Sequence, residues 1–297
     1  MSLEFEEATK EAAKARIALT GPAGAGKTYT ALMLAFGLGE KVAVIDTERG
    51  SASKYVGRNG WRFQTIKPVS FAPLSLVEHL GKAAGRFDVV VIDSLSHYWA
   101  GTDGMLEQVD RRSGANKFAS GWKVVGPEEK KMVDAILAFP GHVIATLRVK
   151  TEYVLETNDR GKQEPRRVGL KPIQRDGIEH EFDLVGDLDL SNTLTVSKSR
   201  IEGVDIGAAY SKPGVELAVK VAEFLADGAE VPAVMEYRER ALELDSVDDL
   251  RKLFEEVSGH QLDGAPMLDD GGFPTVLGDF IRKRASQVKM RNPEAGS

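Results

Sequence analysis

Short apolar runs and longer stretches of helical spacing alternate along the first half of the chain. Ala15–Thr20 (ARIALT), Lys41–Asp46 (KVAVID), Asp88–Asp93 (DVVVID) and His142–Leu147 (HVIATL) are apolar runs of strand length, and Arg62–Lys67 is a weaker one. Between them, Lys27–Gly37, Leu74–Ala84 and Pro127–Ala138 carry apolar residues at helical intervals. The last opens on a proline, whose missing N–H costs nothing in a first turn. Strands apolar on both faces and separated by helices predict a parallel sheet covered on both sides. After Leu147 the pattern changes. Lys150–Glu156 and Arg166–Leu170 alternate around the turn residues Asn158-Asp159-Arg160-Gly161, which predicts a β-hairpin. Phe182–Leu190 and Thr193–Ser199 predict two more strands joined at Ser191-Asn192, and Val215–Leu225 predicts a helix. Asp227–Pro232 (DGAEVP) reads as a boundary. Residues 1–227 are then one α/β core. Residues 228–297 are a small helical region built from Ala233–Leu244, Val247–Val257 and Phe273–Val288, with Gly259–Gly272 as a loop and Asp245 or Ser246 as a helix cap.

Composition narrows the picture. The 297 residues are 42% hydrophobic and 28% charged, ordinary for a globular chain. No apolar run approaches the roughly 20 residues that cross a bilayer, and the opening MSLEFEEATKEAAKAR lacks an apolar signal core. The absence of cysteine excludes disulfides and cysteine-ligated zinc and fits a reducing cytosol. A net charge of -6 argues against general nucleic-acid binding. Much of that excess lies after Pro232, so the core is close to neutral and leaves room for basic loops.

Gly21-Pro22-Ala23-Gly24-Ala25-Gly26-Lys27-Thr28 matches G-x-x-x-x-G-K-[ST] at every specified position. Glycines let backbone N–H groups turn inward around an anion, and the following helix points its positive end at it. Lys27 then reaches the β- and γ-phosphates of ATP, Thr28 coordinates magnesium, and Tyr29 follows at the rim. A strand before and a helix after supply the required context. Asp93 ends an apolar strand, at the sheet edge where ligands bind, and is the expected second magnesium ligand. Asp46-Thr47-Glu48 ends another strand. Glu48 is the better candidate for orienting the attacking water and Asp46 the weaker one.

A phosphate loop followed by V-A-V-I-D-T-E resembles the RecA superfamily of recombinases. That resemblance implies that Glu48 activates water. Ser94 stands directly after the magnesium aspartate, where AAA+ proteins carry their catalytic glutamate, which favours the RecA-like arrangement. It further implies that Thr146 takes the sensor position, usually a glutamine. Val196-Ser197-Lys198-Ser199-Arg200 resembles the strand whose basic pair reaches a neighbour's ATP, so Lys198 and Arg200 would act in trans in a ring or filament. The stretches RIALTGPAGAGKTYTAL, DSLSHYWAG and KPIQRDGIEHEFD are similar to phage-encoded RecA-like ATPases often labelled AAA-family, some of them Sak-type single-strand annealing proteins. The resemblance covers about residues 10 to 212.

Two segments fall where that family places its DNA loops. His97–Val125 mixes aromatic and basic side chains, among them Arg111, Arg112, Lys117 and Trp122. Arg148–Arg175 carries eight basic and four acidic residues, with Arg148, Lys150, Arg166 and Arg167 the main candidates. The expectation is a RecA-like ATPase using ATP and Mg2+, forming homo-oligomers on single-stranded DNA without sequence preference. It would serve phage recombination, annealing or repair in the cytoplasm of a bacterial host, with a single-strand binding protein as a further partner and no membrane role. A replication motor or helicase loader, and an ATP-dependent switch that recruits a protein partner, are the alternatives.

Overall fold

The computed structural model describes residues 13–113, 119–157, 163–227 and 233–291, with the backbone alone at 119, 153–157 and 163–168. The apolar runs become adjacent parallel strands. β1 (Arg16–Gly21), β2 (Val42–Asp46), β3 (Gln64–Ile66), β4 (Val89–Asp93), β5 (His142–Thr157) and β7 (Leu184–Leu188) lie in the order β3-β2-β4-β5-β1-β7. β8 (Thr193–Ser199) and β9 (Ala209–Ser211) extend the sheet antiparallel beyond β7, and β6 (Gln163–Pro172) pairs antiparallel with the outer part of β5. The result is a nine-stranded, mostly parallel α/β sheet, as the apolar runs predict.

Alternation along each strand sends side chains to both faces. On one face Ile17, Leu19, Val44, Val91 and Ile144 pack against α1 (Lys27–Leu38) and α6 (Val215–Ala226). On the other, Ala18, Ile45, Val90, Ile92 and Ala145 meet α2 (Pro73–Ala83) and α5 (Ala119–Leu137). Every β1 and β4 residue is buried, which explains why their sequences read as unbroken apolar runs.

Four expectations need correction. α5 begins at Ala119 rather than Pro127, so Pro127 sits inside the helix. Its cost there is offset by Val125 and Trp122, which pack with Met105 and Val109 of α4 (Met105–Arg112). His97–Val125 is not an open loop: α3 (Ser96–Ala100), α4 and the start of α5 account for most of it. The sensor strand and the hairpin's first arm are one sixteen-residue strand, β5. The expected loop 259–272 contains β10 (Pro266–Leu268), which pairs with β11 (Pro274–Val276), and the last helix, α9 (Leu277–Arg291), starts only after that pair.

The C-terminal helices α7 (Val234–Glu243), α8 (Val247–Gly259) and α9 form their own apolar cluster around Tyr237, Leu253 and Ile281. Ser246 caps α8 by accepting from the Asp249 amide. The region docks on α2: a Cβ added at Gly81 would stand 3.0 Å from the Met267 carbonyl oxygen. No helix among the described residues is long and apolar enough to cross a membrane.

Two polar groups fasten the sheet edge remote from the phosphate loop. The buried Arg16 guanidinium donates to the carbonyls of Leu137, Phe139 and Gly141, closing the turn from α5 into β5. His142 Nδ1 accepts the Ala15 amide at 2.9 Å, which fixes the neutral ring. Burial, then Lys14 and Arg16, push this imidazole from 6.5 down to about 4, against the pull of Asp88. The unfolded chain therefore takes up a proton that the folded chain refuses. Stability falls as pH drops from 6.5 towards 4, by about 3 kcal/mol through this group. His142→Asn keeps an acceptor and removes the titration. Urea melts at pH 7 and pH 4 should show a smaller acid loss in the variant than in the native chain.

Candidate functional site

The carboxyl ends of β1, β2, β4 and β5 meet at one edge of the sheet. Gly21 ends β1, and α1 begins at Lys27 after Gly24 and Gly26, both at φ 85. Left-handed backbone at these positions suits glycine and lets the loop wrap inward. A Cβ at Gly26 would also stand 2.5 Å from Asn192 Nδ2. α1 has no side-chain cap and no acid in its first turn, so its leading N–H groups and positive end face the loop. The Lys27 ammonium donates to the carbonyls of Gly21 and Pro22 at 2.7 and 2.8 Å. Burial lowers its pKa, while Asp93 and Glu48 raise it and Arg148 lowers it further. Tyr29 leans on Tyr55 and Trp61, and the Arg58 guanidinium lies 4.5 Å from its ring centre.

Asp93 is almost completely buried. Thr28 donates to its Oδ2 at 2.7 Å and Thr146 to its Oδ1 at 2.6 Å. Insertion of β5 between β1 and β4 is what brings Thr146 to this carboxylate. Burial raises the Asp93 pKa; the two threonine bonds oppose that, and Glu48 and Asp46 add to it. Asp46, the register partner of Asp93, accepts the Glu48 amide at Oδ1, and its buried Oδ2 has no protein partner. Hard oxygens from Thr28 and Asp93, with an orphaned carboxylate oxygen behind them, fit a magnesium ion that keeps several waters. Among the described residues no group of three His, Cys, Asp or Glu side chains forms that could hold a metal ion.

Glu48 follows β2 and faces the same space. Arg148 grips both its oxygens, Nε to Oε1 at 2.8 Å and Nη2 to Oε2. Burial raises the Glu48 pKa, but the Arg148 hydrogen bonds and charge, helped by His97 and Lys27, bring it below the ordinary value. Thr47 braces the turn. Its amide donates to the Asp93 carbonyl at 2.8 Å, and its hydroxyl meets His97 Nδ1 at 2.6 Å and accepts the Ser94 amide.

The other candidates are dispersed. Lys198 donates to the carbonyls of Glu179, His180 and Phe182, and Arg200 to the His180 carbonyl and Asp183. A role in a neighbouring copy would require both to leave these partners. Arg111 is paired with Asp103 and Glu107, Arg112 with Glu128, and Trp122 lies 5.8 Å from Trp99. Lys150 is exposed on β5. Arg166 and Arg167 lie on the β6 backbone opposite Val154 and Tyr153, and their side chains, like Lys117 as a whole, lie outside the described residues.

Two contributors escape a sequence reading. Asn192, in the turn from β7 to β8, donates to the Ala25 carbonyl at 3.0 Å and to Thr30 at 3.1 Å, pinning the phosphate loop from outside. Thr20 donates to Asp187 across the adjacent strands. Both depend on β7 lying beside β1, a neighbour relation that spans more than 160 residues.

A phosphate loop at the end of a parallel strand, facing a threonine–aspartate pair, defines a P-loop nucleoside triphosphate-binding protein. A family model described as an AAA domain matches residues 13–208, about two-thirds of the chain, and the chain belongs to that family. It is therefore a nucleotide-binding P-loop protein of the AAA ATPase type. No curated protein matches it.

Proposed function

We propose that this protein hydrolyses ATP with Mg2+ and couples turnover to single-stranded DNA, as a RecA-like recombination, annealing or repair protein acting as a homo-oligomer. The observation that carries the reading is the convergence of Lys27, Thr28, Asp93, Thr146 and Glu48 at one sheet edge, directly beneath the base of the β5–β6 hairpin. Water attacks the γ-phosphorus in line and the bond to the β–γ bridging oxygen breaks. Glu48 orients the water and accepts its proton, and Lys27 neutralises charge on the transferring group. Thr28 and Asp93 would hold magnesium, which would supply charge neutralisation at the phosphate oxygens.

The basic balance of residues 148–175 supports DNA on the hairpin, and the absence of a base-reading motif supports binding through the backbone. The test is ATP turnover with and without a single-stranded oligonucleotide over a range of protein concentrations. Stimulation by the strand, rising cooperatively with protein, is expected. Turnover indifferent to both the strand and the protein concentration would sink the DNA and oligomer parts of the proposal.

A further inference from the structure

The β7–β8 hairpin rests against the phosphate loop from outside. At one end of the loop a Cβ on Gly21 would stand 2.5 Å from the Leu188 carbonyl oxygen, and at the other a Cβ on Gly26 would stand 2.5 Å from Asn192 Nδ2. The turn between the two strands is itself fixed. Asp189 Oδ1 accepts the amides of Ser191 and Thr193 at 2.8 and 2.9 Å, and the Asn192 carbonyl accepts the Lys212 amide at 2.8 Å. Asn192 sits at φ 56, a left-handed conformation that asparagine adopts more readily than most residues. Its side-chain amide has two N–H donors, and both are engaged, one on the Ala25 carbonyl and one on Thr30 Oγ1 in the first turn of α1.

We propose that Asn192 is a positioning residue for the nucleotide: by holding the Ala25 carbonyl outward, it aims the Gly26 amide inward at the non-reacting phosphates. The reason is the planarity of the trans peptide between Ala25 and Gly26. Its C=O and N–H point in opposite directions, so fixing one fixes the other. Gly26 lies at φ 85 with no Cβ to restrain it, so the plane needs an external hold. Asn192 supplies that hold. Thr30 ties the same side chain to α1, whose first hydrogen bond runs from the Thr30 amide to the Gly26 carbonyl at 2.9 Å. Backbone N–H groups of such a loop cradle the α- and β-phosphates, which stay behind when the γ-phosphoryl group leaves. An amide aimed there stabilises ground state and transition state alike, and so sets affinity rather than rate. This role rests on the proposed ATP site in the phosphate loop; it needs neither DNA nor a second copy.

The test titrates the full-length chain with MgATP and with MgADP by calorimetry and follows steady-state ATP turnover. The native chain is compared with Asn192→Gly, Asn192→Asp and Thr30→Val. Glycine keeps the left-handed backbone and removes only the side chain. Aspartate keeps the shape but brings a carboxylate without donors. Asn192→Gly should weaken ATP and ADP by the same factor, about tenfold, the upper end for one neutral hydrogen bond, with kcat within about twofold of native. Asn192→Asp should bind more weakly still, because its charge faces the Ala25 carbonyl. Thr30→Val should lose about threefold, and less than that on top of Asn192→Gly, because both act on one contact. Native affinity in both Asn192 variants would overturn the role. So would a loss confined to ATP, which would put Asn192 at the γ-phosphate, or a fall in kcat with both affinities intact. An Asn192→Asp chain that binds like the native one would reduce Asn192 to a space-filling contact. Thermal melting identifies folded variants; if neither Asn192 variant folds, Thr30→Val decides, and native affinity there overturns the role. A native chain that binds neither nucleotide would sink the ATP reading itself, and the role of Asn192 with it.

Discussion

Lys27→Ala should lose at least about a hundredfold in kcat/KM for ATP, the scale on which removal of one preorganised charge contact is felt. Lys27 supplies the ammonium of the phosphate loop, and it is half-buried between the Gly21 and Pro22 carbonyls on one side and the Asp93 and Glu48 carboxylates on the other. Those carbonyls are weak partners that a phosphate displaces. Without the ammonium, the incoming triphosphate faces the Asp93 and Glu48 carboxylates with only backbone N–H groups to offset its charge. The fold should survive, since the side chain packs in no apolar cluster, and thermal melting alongside steady-state kinetics separates the two effects. Turnover above a tenth of native would mean that the chemistry happens elsewhere.

Glu48→Gln should bind ATP within a few-fold of native and hydrolyse it about a hundred to ten thousand times more slowly, the range for loss of a general base. Glutamine still accepts one hydrogen bond from Arg148, so the turn after β2 keeps its shape. The effect should appear in kcat rather than in binding, which pre-steady-state phosphate release with a separate nucleotide titration resolves. Native turnover would remove the assignment and direct attention to Asp46, whose buried Oδ2 has no protein partner.

What could be read from the amino-acid order, and what could not, follows from the range of each signal. The phosphate loop is legible because its eight residues are contiguous and each type has a local backbone or charge reason. The parallel core is legible because β1, β2 and β4 are buried on both faces and so apolar throughout. Asp93, the last residue of β4, and Glu48, two residues past the end of β2, are legible as acids that close apolar runs. Their partners are not. The Glu48–Arg148 fork joins residues one hundred positions apart, and Asn192 reaches Ala25 across 167. Neither has a spacing rule, because strand order in the sheet decides who meets whom. α5 misled for a different reason: Pro127 carries a strong start signal, but tertiary packing of Trp122 and Val125 extends the helix back past it. The ends of Gly259–Gly272 misled because β10 and β11 are three residues each, too short for alternation to register.

β5 changes partners at Arg148, from β1 to β6, and this bears on how the chain can be edited by evolution or by design. Everything β5 contributes to the central sheet precedes Val149, and everything it contributes to the hairpin follows. Val149 and Pro172 face each other across the antiparallel pair, close enough for a two-residue turn to join them. The intervening arm is therefore a cassette: it can be shortened, lengthened or exchanged for one of different sequence without disturbing a single parallel strand. Its insertion point is one residue from the group that grips Glu48. A different cassette would change the surface beside the nucleotide edge while leaving that edge in place.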